Sequence, residues 1–440
     1  MNAQKFSVFG LAFFLLGALI WGNSECLNPL PASAQEAESV EEVPFFKADD
    51  MIPMPLRRET FQMVWETIRD KYFDPDFGGK DWNTIGESYR LKAEEAQTSR
   101  KFHAILGEML KELGRSHLAV IAPNQQTRER KVPVEPLMFP EGLELRIAED
   151  RVVVYSVELD SSAYGAGLRP GQVLEKAREK DFSDSQKIRA SRFQTLIDAK
   201  GAVAGSPETA VLLTVIEDKN NRRTLEVPRD APFKARAHLG RAVVKSERIH
   251  PKVGYIWFDG WSFDLKSKLE PVVKEYWDTE GLIIDIRQNR GGVNPGVDYL
   301  AHLLCKESGS LAVEVTRSGI TRNWSFEGSG DAAYKGKVAI LIDEASGSAS
   351  EVFASGLQEL GRAVILGRPS YGGVLNSTQE KLRTGGILQY PHSDMRTPKG
   401  IRIEGVGVQP DIPVDMQIDD LIEGKDTVIQ RALCIILDYK

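Results

Sequence analysis

Four apolar runs dominate the second half of the chain: VGYIWF (253–258), GLIIDI (281–286), KVAILID (337–343) and AVILG (363–367). Short, nearly continuous hydrophobic runs of this kind belong to strands buried on both faces, not to strands with one wet side. The segments DLKSKLEPVVKEYW, PGVDYLAHLLC and SEVFASGLQELG that separate them have helical spacing. Strand and helix in alternation predict an α/β domain with a mainly parallel sheet, here spanning residues 235–440. In such sheets function collects in the turns that follow the strands' carboxyl ends. Two of these turns are unusual in composition: RQNRGG (287–292) and ASGSASE (345–351).

The chain has 440 residues, too many for one compact core, and the remainder divides by pattern. Residues 55–123 read as a helical domain. Phe61, Val64, Trp65 and Ile68 recur at helical spacing, as do Phe102, Ile105, Leu106, Met109, Leu110 and Leu113, with a turn-rich break at DPDFGGKDW (74–82). Residues 130–230 read as a β-rich module with small helices and a closing hairpin. The acidic, aperiodic stretch 35–54 reads as a linker. Residues 1–34 have the layout of a secretory signal: Lys5, an apolar run (6–21), and Ala32-Ser33-Ala34 before a cleavage point. That run is short of the roughly 20 residues that span a bilayer. The expectation is an extracytoplasmic protein, periplasmic or secreted, with no membrane span once the signal is removed; a retained anchor is the competing reading.

Composition narrows the chemistry. The net charge is −7 and there is no Lys/Arg block, so no nucleic-acid partner is expected. Beyond Cys26 only Cys305 and Cys434 remain, both in apolar patterns that suit core packing better than a disulfide framework. No Cys/His spacing suggests a metal, and no cofactor is expected.

Ser348 stands in a strand-to-helix turn. It reads either as part of a helix cap or as a nucleophile, and in the second reading Ser350 is left as the cap. In the second reading the amide of Ala349, at the positive end of the helix, faces a developing oxyanion. The glycines Gly291 and Gly292 allow a second backbone N–H to approach the same point. A serine nucleophile needs a base within hydrogen-bond reach. Of the six histidines, His103 and His302 sit in helical patterns, and His238, His250 and His392 have no visible partner. His117, in GRSHLA, lies in a loop-like junction beside Ser116.

Together, GLELRI…AYGAGLRPGQVL, GLIIDIRQNRGG, ILIDEASGSASEVFASGLQELGRAVILG and EGVGVQPDI (404–412) resemble the carboxyl-terminal processing (tail-specific) peptidase family, which includes the tricorn protease core. The helical start, VWETIRDKYFDPDFGGKDW and MLKELGRSHLAV, is similar to that family's amino-terminal region. The resemblance implies an α/β (α+β multidomain) chain: a helical region, a PDZ-like module over 130–230 that captures protein carboxyl termini, and a peptidase core of the crotonase/ClpP-like type. It implies Ser348 as nucleophile of a serine endopeptidase acting on peptides or protein tails, with oligomers possible. The family's usual lysine position is Gly373, which has no side chain to take a proton, and the usual glutamine one turn later is Ser377. The tricorn-like branch also lacks the lysine. Similarity to it implies a Ser–His–Ser–Glu arrangement of Ser116, His117, Ser348 and Glu404, with His117 as general base. Two alternatives stand beside this one: a non-catalytic PDZ-bearing scaffold that binds carboxyl termini, and lysine chemistry from a displaced Lys381 or Lys399. Because successive side chains of a strand diverge, the Ser116-His117 pair also requires a bend.

Overall fold

The computed structural model describes residues 46–123, 137–217, 221–232 and 242–438. The signal expected at 1–34 and Cys26 lie outside the described residues, as do residues 35–45 of the expected linker and His238. The rest of that linker is packed. Ile52 is buried, and the carbonyls of Asp50 and Ala48 accept from the amides of Ser99 and Arg100. A hydrophobic residue at its end is what ties this polar stretch to the helices behind it.

Helices α1 (Met54–Lys71), α2 (Trp82–Glu94) and α3 (Ser99–Lys111) follow, each pair packed through the apolar stripe read from sequence. Asp81 caps α2 by accepting from the amides of Asn83 and Thr84, and Thr98 caps α3. These helices do not form a core of their own. Phe61, Val64, Ile68, Phe102, Leu106 and Leu110 share one cluster with Leu375, Leu382, Leu388 and Tyr390 from the far end of the chain. The short strand β1 (Ala119–Ile121) completes this attachment.

The β-rich module runs from β2 (Met138–Phe139) through β3 (Leu143–Ala148), β4 (Arg151–Val157), α4 (Ser162–Gly165), β5 (Val173–Ala177), β6 (Lys180–Asp181), α5 (Ser185–Ala190), α6 (Arg192–Val203), β7 (Ala210–Ile216) and β8 (Arg222–Pro228) to β9 (Ala231–Pro232). Its antiparallel sheet has the order β3-β4-β5-β7-β8, and β2 pairs with β9 where the chain enters and leaves. Leu196 and Ala199 of α6 close the core over Leu145, Ile147, Val152 and Val154.

The α/β domain carries β10 (Val244–His250), β11 (Val253–Phe258), α7 (Leu265–Glu275), β12 (Gly281–Asp285), α8 (Pro295–Leu304), β13 (Gly309–Thr316), β14 (Thr321–Phe326), β15 (Lys337–Ile342), α9 (Ala349–Glu359), β16 (Val364–Gly367), β17 (Asn376–Lys381), β18 (Ile387–Arg396), β19 (Ile412–Pro413), α10 (Ile418–Ile422) and α11 (Thr427–Ile436). One sheet has the order β10-β11-β12-β15-β16-β19 and is parallel from β11 onward. Its apolar runs are buried on both faces: Leu282 and Ile284 of β12 pack with α7, α8 and α9, while Ile283 between them packs with Val428, Ala432 and Ile436 of α11. A second sheet has the order β1-β18-β13-β14, with β17 on the other side of β18.

The module is fastened to this domain by charge. Arg287 is buried with Asp285 and Asp426, and Asp426 in turn accepts from Tyr155 of β4 at 2.8 Å. Arg368 bonds Glu344, Asp415 and the Ile147 carbonyl of β3. Pairing and hydrogen bonding are what make such buried charges tolerable, and removing one partner is the costly change.

The shared helical cluster makes a direct test. Leu388→Ala should cost about 2–5 kcal/mol by urea unfolding, because the residue, on β18, is fully buried in the cluster it shares with the helices. A loss below about 0.5 kcal/mol would mean that the helices do not depend on the α/β domain for their core.

Candidate active site

The turn between β15 and α9 is built from small residues because four segments converge on it. Ser348 is the N-cap of α9 with φ +55°, and Glu351, three residues on, accepts the Ser348 N–H at 2.9 Å through Oε2. That is the reach-back half of a capping box. Ser350, the residue expected from sequence to be the cap, has another role: its hydroxyl donates to the Asn289 carbonyl at 2.9 Å and accepts from Trp261 Nε1 at 2.9 Å. The sequence gives no sign of this, since both partners lie far away along the chain.

Ser350 thereby pins the serine turn to RQNRGG. Gly347 N–H also donates to the Asn289 carbonyl, and Ser346 Oγ to the Ile286 carbonyl. Gly291, at φ +92°, lies so close that a β-carbon there would stand 2.7 Å from both the Gly347 carbonyl and Ser348 Cβ. The Gly291 amide donates to Asn289 Oδ1 at 3.0 Å. Its carbonyl accepts from Trp261 N–H, and Val293 N–H donates back to the Trp261 carbonyl.

Glu351 holds more than the serine. Its two oxygens accept from Ser348 N–H, Ser370 Oγ, Gly372 N–H and Gly373 N–H. Burial pushes its carboxyl up to about 7, against the pull of those donors. Sequence reasoning did not single this residue out, although the Ser-x-x-Glu spacing before an apolar run is a recognisable signal.

His117 arrives from the other end of the chain. After α3 the backbone turns left-handed at Gly114 (φ +62°) and again at His117 (φ +58°), and β1 then pairs with Ile387–Gln389 of β18. The second of these turns supplies the bend that the Ser116-His117 pair requires. Ser116 Oγ lies 2.7 Å from His117 Nδ1 and donates to Glu404 Oε2 at 2.9 Å, while Ser116 N–H donates to Glu404 Oε1 at 2.8 Å. Val374 N–H donates to Glu404 Oε2 at 3.0 Å. A carboxylate only accepts, so the single Ser116 hydroxyl proton points at Glu404. The same oxygen then accepts from His117 Nδ1–H, and the lone pair of the neutral ring sits on Nε2.

His117 and Ser348 line one pocket of about 210 Å³ with Gly292, Ala349, Asn294, Trp324, Val374 and Met395 among its walls. Of the seven residues singled out in sequence, Ser348, His117, Gly292 and Ala349 line it. Ser116 and Glu404 stand directly behind His117, and Gly291 lies against the serine turn. Ser377 is also in the wall. Lys381 lies at the end of β17 in a separate groove beside α1, and the Lys399 amide bonds Glu359; neither lysine lines the Ser348 pocket. Position 373 has no room for one: a β-carbon there would stand 2.6 Å from the Tyr371 ring and 3.2 Å from Ser116 Cβ. His103 is structural, buried between the Ser99 carbonyl and Thr384 Oγ1. Cys305 is buried and Cys434 half-buried, both free thiols. Among the described residues no cluster of His, Cys, Asp or Glu is suited to a metal, and no helix is long and apolar enough to cross a membrane.

Comparison with known proteins agrees with this architecture. Residues 252–414 match the model of peptidase family S41, and residues 55–111 match the tricorn protease C1 domain. A probable CtpA-like serine protease of Staphylococcus aureus is 26% identical over 340 residues, 76% of this chain; the match spans 63% of that relative's length. The chloroplastic C-terminal processing peptidase of Tetradesmus obliquus is 24% identical over 372 residues, covering 81% of this chain and 77% of that one. The solved structure of a photosystem II D1 C-terminal processing protease superposes with a TM-score of 0.56 at 21% identity, over 83% of this chain and 96% of the other, which shows a shared fold. The chain thus carries a peptidase family S41 domain over residues 252–414, preceded by a tricorn C1 domain.

Proposed function

We propose that the protein is a serine endopeptidase of the carboxyl-terminal processing type, with Ser348 as nucleophile and His117 as its general base. One observation carries the reading: Ser116 joins His117 Nδ1 to Glu404, and His117 and Ser348 line the same pocket. His117 takes the Ser348 proton as the hydroxyl attacks a peptide carbonyl, and returns it to the leaving amine. Ser116 and Glu404 hold the ring in the required tautomer and stabilise the cation that forms. Glu351 is a positioning residue, since it grips Ser348 and the 372–373 backbone on one carboxylate. The Ala349 amide and one glycine amide hold the oxyanion. Gly292 suits that role better than Gly291, whose N–H is already committed to Asn289. Water activated by His117 then releases the acyl-enzyme.

The β-rich module is proposed to act as a PDZ-like receiver of protein carboxyl termini. Its α6 meets the RQNRGG turn and the segment that follows β16: Lys200 Nζ donates to Gln288 at 2.8 Å, and Phe193 packs on Tyr371, with ring centroids 4.4 Å apart. Residues 1–34 are proposed to direct the chain outside the cytoplasm, where peptide or protein tails are its substrates.

A fluorophosphonate probe should label Ser348 in the wild type and not in Ser348→Ala. Casein cleavage should fall about 10³-fold or more in His117→Ala, and about 10²-fold in Glu404→Gln, whose amide cannot accept every donor now on the carboxylate. No labelling and no cleavage by the wild type would favour a non-catalytic scaffold. The rate should rise through about pH 6–7 and then level off, as His117 loses its blocking proton.

Gly373→Lys should abolish cleavage, not restore a lysine base, because its side chain enters the space of Ser116 and Tyr371. Activity regained in the Gly373→Lys, His117→Ala double variant would overturn this steric exclusion.

Glu351 has a stability signature. Its carboxyl is raised from an ordinary value of 4.5 to about 7, so the stability linked to its proton is present at low pH and lost as pH rises through 7. Between about pH 4.5 and 7 the urea midpoint of the wild type should therefore fall more steeply than that of Glu351→Gln. Parallel curves would rule the raised carboxyl out.

A further inference from the structure

Strand β17 leaves the Ser348 pocket and runs along its own open edge. Leu375, Asn376 and Ser377 are in the pocket wall, and the strand continues to Lys381. Its ladder lies entirely on the β18 side, and among the described residues no strand pairs with the other side. The direction of each backbone group follows from two bonds. Leu382 N–H donates to the Gly386 carbonyl, closing the hairpin with a hydrogen-bonded pair. Such pairs alternate along an antiparallel ladder, so Glu380↔Leu388 and Thr378↔Tyr390 are the bonded pairs that follow. Pro391, opposite Ser377, confirms the phase: its carbonyl faces away from β17 and accepts from Phe73 N–H. The N–H and C=O groups of Ser377, Gln379 and Lys381 therefore face the open edge.

Beyond the pocket this edge borders a groove of about 830 Å³. Gln62, Met63, Glu66 and Asp70 of α1 form one flank, and Lys381 and Arg383 form the other. The ion pairs Lys71–Glu380 (2.8 Å) and Arg383–Glu59 (3.1 Å) tie the helix to the hairpin. Acidic and basic groups are mixed along it, so the groove selects no single sign of charge. The groups it repeats in order are main-chain donors and acceptors.

We propose that the outer edge of β17 is an exosite for the substrate's own backbone: an extended polypeptide leaving the Ser348 pocket adds to it as a further strand and ends in the α1 groove. Ser377 to Lys381 spans about 13 Å at roughly 3.3 Å per residue, so the segment gripped is about five residues long. Main-chain pairing gives affinity with little sequence preference, and it requires a substrate that is unfolded over that length. The exosite rests on the reading of the Ser348 pocket as a peptidase site, and commits that site to extended tails over folded surfaces.

Binding to the Ser348→Ala protein tests this apart from catalysis. The probes are fluorescein-labelled peptides of alternating Ser and Val, four and ten residues long, followed by anisotropy. The ten-residue peptide should bind at least tenfold more tightly. Gln379→Pro removes an outward N–H without touching the β18 ladder, and should bring the two peptides within about threefold of each other, whereas Gln379→Ala should keep the difference. Should Gln379→Pro fail to fold, an ester scan of the long peptide on the unaltered strand decides instead: replacing backbone amides one at a time should weaken binding at alternate positions only. Equal affinity of the two peptides, or an ester scan without that alternation, overturns the exosite. So does a dimer of the chain that Gln379→Pro disperses and peptide does not, because the edge would then belong to a second copy. Failure of wild-type Ser348 to react with fluorophosphonate, with the binding difference intact, would sink the peptidase reading alone.

Discussion

The histidine side of the site converges on the carboxylate of Glu404. It accepts Ser116 through both backbone and hydroxyl, and it accepts Val374 through the backbone. Ser116 belongs to the amino-terminal helical segment, and Val374 leads into β17. The same side chain that polarises the proposed base therefore fastens its loop to the strand beside Ser348. Charge-assisted hydrogen bonds of this kind are about twice as strong as neutral ones, which suits a joint between segments so distant in sequence.

A second carboxylate works on the same backbone from the opposite end. Glu351 takes the amides of Gly372 and Gly373, immediately before the Val374 amide that Glu404 takes. Residues 372–374 are thus strung between two acidic anchors, one at the nucleophile turn and one at the histidine relay. Their separation sets how far Ser348 stands from His117. In the proposed mechanism, rate depends on this backbone segment as much as on the groups that exchange the proton, because such distances govern proton transfer and attack.

Much of the fold was legible because burial leaves a direct mark on sequence. The continuous apolar runs of β12 and β15 could only be strands covered on both faces, and the helical stripe of α3 faces the core as its spacing implied. The nucleophile turn was visible as a cluster of small residues. Less was visible where a residue's partner is remote. Ser350 looked like a cap, yet its hydroxyl serves Asn289 and Trp261. Glu351 drew no attention despite its spacing from Ser348. The helical segment looked like a separate domain, but its core is completed by Leu375, Leu382, Leu388 and Tyr390, and no local pattern records that. The pairing of Ser116 and His117 with Glu404 came from resemblance to a family, not from any physical signal in the residues.

Gly373 has a consequence for how such a site can change over time. The volume where a side chain at 373 would begin is bounded by Ser116 and Tyr371. A side chain there would press on both at once, so a change at 373 is coupled to the placement of residues 116 and 371 and, through Ser116, to Glu404. The smallest residue in the site thereby makes its neighbours' positions interdependent, and none of the three can be exchanged without regard to the other two.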